Sequence, residues 1–267
     1  MRAGCHSLMQ SSIQQVQTLA LSTLYEAYSG KMIVAVVGVL GVGFTLALFL
    51  GDVAITETAQ MQQALLAGFL RMSLVFVLVV FVVNGCVREI QDRSILLTLS
   101  LPVSRTTVFF GKFCAYTLVA LIIVIFACIE LSIFAPLAHI IPWGVTLWLE
   151  STLVIAFGLV CAFSLGQVPL AITTVVGFYL LSRSMSAVLL IAHHPIIHSD
   201  SVGQSVLVYL ADAVALMLPA LDQFARAELI LYGAGPEFHL SSLLLQGAIY
   251  ALLLVSIALF DLYRKNF

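Results

Sequence analysis

The sequence predicts an all-α polytopic membrane protein with six transmembrane helices. Three observations predict it. First, 62% of the 267 residues are apolar and only 9% are charged, whereas a soluble globular domain has about 25% charged residues. Second, the mean hydropathy is +1.13. Third, six apolar runs have about the length needed to cross a hydrocarbon core. So little charge excludes a soluble enzyme and a disordered chain, and a net charge of −2 gives no reason to expect a nucleic-acid partner.

The six apolar runs define the predicted spans. Each is apolar around nearly its whole circumference, which is expected of a helix in lipid rather than of a strand. The fifth run begins near Pro169, a residue that suits a first helical turn. The predicted spans cover residues 32–50, 65–87, 108–135, 145–165, 169–192 and 243–260.

The segments between the spans complete a single transmembrane domain over residues 1–267. Residues 13–30 place apolar side chains at helical spacing, which predicts an interfacial helix on the membrane surface; an ordinary soluble helix is the alternative. Residues 88–107 form the loop between spans two and three. The longest loop, residues 193–240, contains an apolar run that is interrupted by Asp212 and ends near Pro219. Because that run is too short to cross, we expect a re-entrant or interfacial helix there.

Basic residues near the ends of the spans predict the orientation, since cytoplasmic loops carry an excess of Lys and Arg. If the N-terminus is cytoplasmic, only Arg226 falls on the outer side. The cytoplasmic segments then hold Arg2, Lys31, Arg88, Arg93, Arg105, Lys112, Arg264 and Lys265. We therefore expect a multi-pass protein of the cell (inner) membrane with both termini in the cytoplasm.

Four charged residues fall inside the predicted spans: Arg71, Glu130, Glu150 and Arg183. With the orientation above, all four lie roughly 7–14 Å below the outer boundary. An uncompensated charge at that depth costs on the order of 1–3 kcal/mol. Two acids and two bases in one layer predict mutual pairing. Two interpretations follow: the ion pairs hold the bundle together, or the charges line a substrate path or gate.

The loop between spans two and three has the pattern of a short amphipathic helix. Glu89, Asp92 and Arg93 fall on one helical face. Pro102 ends the helix, because the residue before a proline is pushed towards extended geometry. Such a helix is suited to docking into a groove of a cytoplasmic partner, and a helix lying idle on the lipid surface is the alternative.

The same loop resembles a known family. From Glu89 to Arg105 it reads E-x-x-D-R-S-I-x-x-x-L-S-x-P-V-S-R, followed by Gly111-Lys112. This run is similar to the coupling-helix segment of ABC transporter permeases of the type-2 (exporter) superfamily, with Ser94 where a Gly-Thr is usual. The tail and spacing are closest to permeases associated with copper-enzyme maturation and with gliding systems. Six spans, an amphipathic N-terminal helix and a long outer segment before span six agree along nearly the full chain.

The resemblance implies a transport subunit that does no chemistry of its own. It assigns coupling to an ATPase subunit to Glu89, Asp92, Arg93, Pro102 and Arg105. The implied partners are two copies of a cytoplasmic ABC ATPase, a second permease copy forming a homodimer, membrane lipid and a periplasmic partner. No cofactor is expected on this chain; ATP and Mg belong to the ATPase. The sequence agrees in lacking a phosphate-binding loop, since Gly111-Lys112 is followed by Phe113 rather than Ser or Thr.

Two other functions stay open at this point. One is a proton-coupled secondary transporter that uses Glu130 or Glu150, because an intramembrane carboxylate is a common proton carrier. The other is a membrane assembly factor without transport. Imidazoles suit copper or zinc, but Pro195 lies between His194 and His198 and spoils a helical pair, so no metal site is expected from these residues and His193. We expect no catalytic residue, because no nucleophile is placed beside a base.

Overall fold

The structure is a computed structural model that describes residues 23, 25, 31–53, 58–92, 105–193, 202–235 and 239–264. Within these ranges the chain forms helices α1 (Lys31–Val53), α2 (Thr58–Gln91), α3 (Arg105–Leu131), α4 (Leu137–Leu165), α5 (Val168–His193), α6 (Val202–Met217), α7 (Ala227–Tyr232) and α8 (Leu240–Arg264). Six of them, α1 to α5 and α8, are long and apolar enough to cross a membrane. The predicted all-α polytopic membrane fold with six spans is confirmed.

Two ends of the bundle are defined by contacts between the helices. At one end, Glu89 of α2 pairs with Lys112 of α3, and the Gln91 side chain donates to the Gly166 carbonyl at 3.2 Å, just beyond α4. We call this end the basic end. It also holds Lys31, Arg88, Arg105 and Arg264. The opposite end holds the end of α1, the start of α2 and the α3–α4 turn. Which end faces the cytoplasm stays a prediction.

Helix α4 lies at the centre of the bundle and contacts α2, α3, α5, α7 and α8. Its side chains Trp143 and Leu147 are fully buried. Pro142 lies inside the helix and removes one backbone hydrogen bond. Membrane helices tolerate this because neighbouring groups satisfy the freed backbone atoms. In contrast, α1 and α8 leave most of their apolar side chains exposed, as expected for helices at the lipid boundary.

The predicted limits of spans three and four were wrong. Span three was expected to reach residue 135, but α3 ends at Leu131 and a turn leads to Pro136. Span four was expected to begin near residue 145, but α4 begins at Leu137. Proline restricts the residue before it, so Pro136 marks the boundary between the two helices more sharply than the apolar composition does.

Span two also begins earlier than predicted, at Thr58 rather than near residue 65. The first two turns of α2 are polar but are held by side-chain hydrogen bonds. Gln62 donates to the Ala47 carbonyl at 2.9 Å, and Gln63 donates to the Phe134 carbonyl at 2.6 Å. These bonds join α2 to α1 and to the α3–α4 turn, so the polar residues stabilise the helix although they weaken its hydropathy.

The chain between α5 and α8 does not form a straight span. Val208–Leu216 and Leu221–Tyr232 meet at a bend of 70°. We call residues 218–232 the bent segment; it contains the 3₁₀ turn Leu221–Gln223 and α7. The bend fits either a broken span or a re-entrant loop, so the re-entrant or interfacial helix expected there stays a prediction. Apart from Thr23 and Tyr25, the predicted interfacial helix at 13–30 lies outside the described residues, as does the loop at 93–104.

Candidate functional site

The most distinctive site is a group of buried charged side chains between α2, α4 and α5. Nε of Arg71 lies 3.2 Å from each carboxylate oxygen of Glu150. Nη1 of Arg183 lies 3.8 Å from Oε1 of Glu150. The Glu150 side chain is fully buried and that of Arg71 is 4% exposed, whereas that of Arg183 is 27% exposed. The structure therefore brings together three of the four predicted intramembrane charges, with Glu150 between the two arginines.

A tyrosine that sequence reasoning missed completes this arrangement. The Tyr179 hydroxyl donates to Oε1 of Glu150 at 2.9 Å. Tyr179 lies one helical turn before Arg183 on α5, so both side chains reach the same carboxylate. We call Arg71, Glu150, Tyr179 and Arg183 the charge cluster. The i, i+4 spacing of Tyr179 and Arg183 was the one sequence signal that would have found the tyrosine.

The bent segment closes over the charge cluster with backbone atoms. Nη1 of Arg71 donates to the Ala225 carbonyl at 2.7 Å. Nη1 of Arg183 donates to the Leu221 carbonyl at 2.9 Å. The Ala225 N–H donates to Oγ1 of Thr146 on α4 at 3.1 Å. Both arginines thus bind a carboxylate and a carbonyl, so they join the spans to the bent segment.

Ala225 has a conformation that fits this contact. Its φ is +41°, the one positive value at a non-glycine residue among the described residues. A left-handed conformation is unfavourable for alanine and is retained where surrounding contacts fix it. Here the carbonyl accepts from Arg71 and the N–H donates to Thr146, so both polar backbone atoms of Ala225 are satisfied in a buried position.

A further histidine anchors the bent segment. Nδ1 of His139, near the start of α4, lies 2.8 Å from the carbonyl oxygen of Ile230 in α7. Together with the arginines, this contact holds the bent segment at three positions along its length.

Glu130 stands apart from the charge cluster, so the expectation that all four charges pair is wrong for this residue. It is 9% exposed, and neither carboxylate oxygen has a hydrogen-bond partner among the described residues. Its surroundings include Gly43 of α1: a Cβ added there would lie 3.3 Å from Oε1. The predicted depth of Glu130 assumed a span that reached residue 135. Because α3 ends at Leu131, Glu130 lies beside the end of its helix, whereas Glu150 lies well inside α4, which begins at Leu137.

Three of the predicted coupling residues lie at the basic end. Glu89 belongs to the last turn of α2 and pairs with Lys112. Asp92 follows α2 directly and is exposed, while Arg105 is the first residue of α3. Arg93 and Pro102 lie outside the described residues. The structure thus places the two ends of the predicted loop on neighbouring helices.

The histidines of the long loop are only partly described. Nε2 of His193 lies 3.5 Å from Oδ1 of Asp212, which joins the end of α5 to α6. His194 and His198 lie outside the described residues. Among the residues that the structure describes, no group of three or more His, Cys, Asp or Glu side chains is close enough to hold a metal ion.

The charge cluster offers binding and alignment rather than bond-making chemistry. Its members are two guanidinium groups, a carboxylate and a phenol, all engaged in ion pairs or hydrogen bonds. Each hydrogen bond to a charged group contributes roughly 1.5–3 kcal/mol. Any motion that separates α2, α4 and α5 must break such bonds. Comparison with known protein families gives no matching family model, and comparison with curated proteins gives no significant match.

Proposed function

We propose that this chain is the membrane-spanning permease subunit of an ATP-driven ABC exporter. A separate cytoplasmic ATPase would bind ATP and Mg and hydrolyse the nucleotide, and this chain would convert closure of that subunit into movement of its spans. Two permease copies, preferentially identical, would pair with two ATPase copies in the cell (inner) membrane. Export of a substrate and force transmission to a periplasmic partner are both compatible with this proposal.

The observation that carries the proposal is the run from Glu89 to Arg105, with its charged start, its Pro102 break and the Gly111-Lys112 that follows. The contacts at the basic end support it. The Glu89–Lys112 pair joins α2 to α3 on both sides of the loop, and Gln91 joins α2 to the end of α4. A force applied to residues 93–104 would therefore act on several spans together.

The contacts divide the coupling residues into two groups. Glu89 would brace α2 against α3, since its carboxylate is engaged by Lys112 within the chain. Asp92 is exposed and available to a partner. Arg93, Pro102 and Arg105 would form and orient the surface that the ATPase contacts. The chain itself would have no catalytic residue.

The test is purification of the chain from its native membrane, followed by measurement of ATP hydrolysis in the complex. We expect a co-purifying chain with a Gly-x-x-x-x-Gly-Lys-Ser/Thr loop, whose hydrolysis rate falls several-fold when Asp92→Asn and Arg93→Gln are combined. The control is Asp222→Asn with Arg226→Gln, which removes the same two charges from a partly exposed pair near the opposite end. Equal rates in both double variants, or recovery of the intact chain without an ATPase, would rule out the proposal.

A proton-coupled transporter is the second candidate, and one observation favours it. Glu130 is a buried carboxyl group with no protein partner among the described residues, which suits a group that takes up and releases a proton. Transport by the purified chain in liposomes, driven by a pH gradient without ATP and lost in Glu130→Gln, would establish this alternative. Absence of gradient-driven uptake would eliminate it.

A further inference from the structure

A groove runs along the surface of α2, where α1 and α5 leave it uncovered. The half nearer the charge cluster is a cavity of about 410 Å³ that Met72, Phe76, Val77 and Tyr179 help to line. The half at the basic end is a cavity of about 640 Å³. Its lining includes Lys31, Phe76, Val77, Val80, Asn84 and Arg88. Because Phe76 and Val77 line both cavities, the two form one continuous groove.

The groove is apolar along its length but polar at its basic end. Lys31 of α1 and Arg88 of α2 are both exposed and face this end from two helices. Neither side chain has an ion-pair or hydrogen-bond partner among the described residues. The two positive charges are therefore uncompensated within the part of the chain that the structure describes.

A third polar side chain lies deeper in the same cavity. Asn84 is one helical turn from Arg88 towards the membrane interior and is partly buried. Its amide has no hydrogen-bond partner in the described ranges. An amide at that depth costs free energy when it is left without a partner. The ligand of this cavity should therefore carry an anionic group with acceptor oxygens next to an apolar chain.

The dimensions of the basic half match one leaflet of a bilayer. From Val77 to Arg88 the helix rises roughly 16 Å at 1.5 Å per residue. The hydrocarbon core is about 30 Å thick, so one leaflet contributes about half of that. An acyl chain lying against Val77 and Val80 would reach the middle of the membrane, while its headgroup remained level with Arg88.

We propose that this groove binds an anionic phospholipid of the leaflet at the basic end. The phosphate is held by Lys31 and Arg88 and accepts a hydrogen bond from Asn84, and an acyl chain packs against Phe76, Val77 and Val80. Basic pockets between membrane helices bind anionic headgroups through the same combination of charge and apolar contact. An apolar helix from a second copy of this chain would fill the groove but would leave both cations without a counter-charge. This proposal does not depend on the proposed transport function.

The test is native mass spectrometry of the full chain in detergent micelles at low salt, titrated with phosphatidylglycerol or phosphatidylcholine. A basic residue near an anionic headgroup contributes about fivefold in affinity, and two contribute about thirtyfold. We expect Lys31→Gln and Arg88→Gln each to weaken phosphatidylglycerol binding about fivefold, and both together about thirtyfold. Binding of phosphatidylcholine, whose phosphate charge is offset by choline, should fall by a clearly smaller factor. Arg264→Gln is the control, because it removes an exposed cation from the end of α8, outside the groove.

A pair of tryptophan variants tests the position of the acyl chain. Ala35 lines the basic half of the groove, whereas its neighbour Val34 is 74% exposed and does not. Ala35→Trp should displace bound phosphatidylglycerol, and Val34→Trp should not. Three results would each overturn the proposal. They are equal losses of phosphatidylglycerol binding in Arg264→Gln and Arg88→Gln, no preference between the two lipids, and an Ala35→Trp variant that dissociates an oligomer but keeps its lipid. The last result would assign the groove to a second copy of the chain.

Discussion

Removal of Arg71 is expected to destabilise the protein more than removal of Arg183, although both arginines contact Glu150. Arg71→Met replaces a guanidinium group that is 4% exposed and that donates to Glu150 at 3.2 Å and to the Ala225 carbonyl at 2.7 Å. Arg183→Met replaces one that is 27% exposed and lies 3.8 Å from the carboxylate. The second residue can therefore exchange part of its contacts for water or lipid headgroups.

The magnitudes follow from burial. Truncating one partner of a buried ion pair costs about 3–5 kcal/mol, because the other charge is left uncompensated. After Arg71→Met, Glu150 still has the Tyr179 hydroxyl at 2.9 Å and the more distant Arg183, which places the loss near the lower limit, at about 3 kcal/mol. Arg183→Met leaves the closer pair intact and removes a partly exposed ion pair together with the hydrogen bond to the Leu221 carbonyl, so its loss should be about 1–2 kcal/mol.

A double variant separates charge from packing. Replacing a whole buried ion pair by apolar residues is often neutral. Arg71→Met combined with Glu150→Met should therefore lose less stability than the sum of the two single variants, which gives a favourable coupling in a double-mutant cycle. The carbonyl of Ala225 loses its donor in Arg71→Met and in the double variant, so this cost cancels in the comparison.

The assay is reversible unfolding in mixed micelles with increasing dodecyl sulfate. The two tryptophans of the chain, Trp143 and Trp148, both lie in α4 and report on its packing. Equal losses of unfolding free energy in Arg71→Met and Arg183→Met would refute the reasoning from burial. A double variant that is less stable than the sum of both single variants would refute the reasoning from charge compensation.

Three further predictions concern single positions. A Cβ at Gly144 would lie 2.6 Å from the Cys128 sulphur, so Gly144→Ala should lose about 1–3 kcal/mol of unfolding free energy in the micelle assay; Gly158→Ala, whose Cβ meets its nearest atom at 3.7 Å, is the control. His139→Ala removes one anchor of the bent segment, and hydrogen exchange of residues 227–232 should become about fivefold faster, since one hydrogen bond contributes about 1 kcal/mol; unchanged protection would mean that the bond does not hold this segment. Glu130→Gln removes a buried carboxylate that has no hydrogen-bond partner among the described residues, so the free energy of unfolding should stay equal or rise. A loss above about 1 kcal/mol would contradict the isolation of this carboxylate.

The sequence predicted the number and approximate position of the spans because lipid imposes a strong rule on composition. A helix in hydrocarbon must be apolar over about 20 residues, and such runs are readable from the chain alone. The limits of the helices were less predictable. The polar start of α2 is helical because Gln62 and Gln63 find carbonyl partners on other segments, and those partners are remote in the sequence.

The charge cluster was only partly predictable for the same reason. Depth placed Arg71, Glu150 and Arg183 in one layer, and their pairing follows from the cost of an isolated charge. The depth of Glu130 was predicted from a span that was expected to reach residue 135, and the earlier end of α3 at Leu131 separates this residue from the other three. The contact between Arg71 and the backbone of Ala225 joins positions that are 154 residues apart. Every residue has a backbone carbonyl, so no pattern of side chains in the sequence indicates which carbonyl accepts from Arg71.

The use of backbone carbonyls as acceptors has a consequence for how this protein can change in evolution. Substitutions at Leu221 or Ala225 alter the side chain but keep the carbonyl, so they need not disturb the arginine contacts. Substitutions at Arg71 or Glu150 remove a charge from a buried ion pair and leave the other charge without its closest partner. We therefore expect homologous chains to retain the arginines and the carboxylate while the residues of the bent segment diverge, with glycine the most acceptable exchange at Ala225 because of its positive φ.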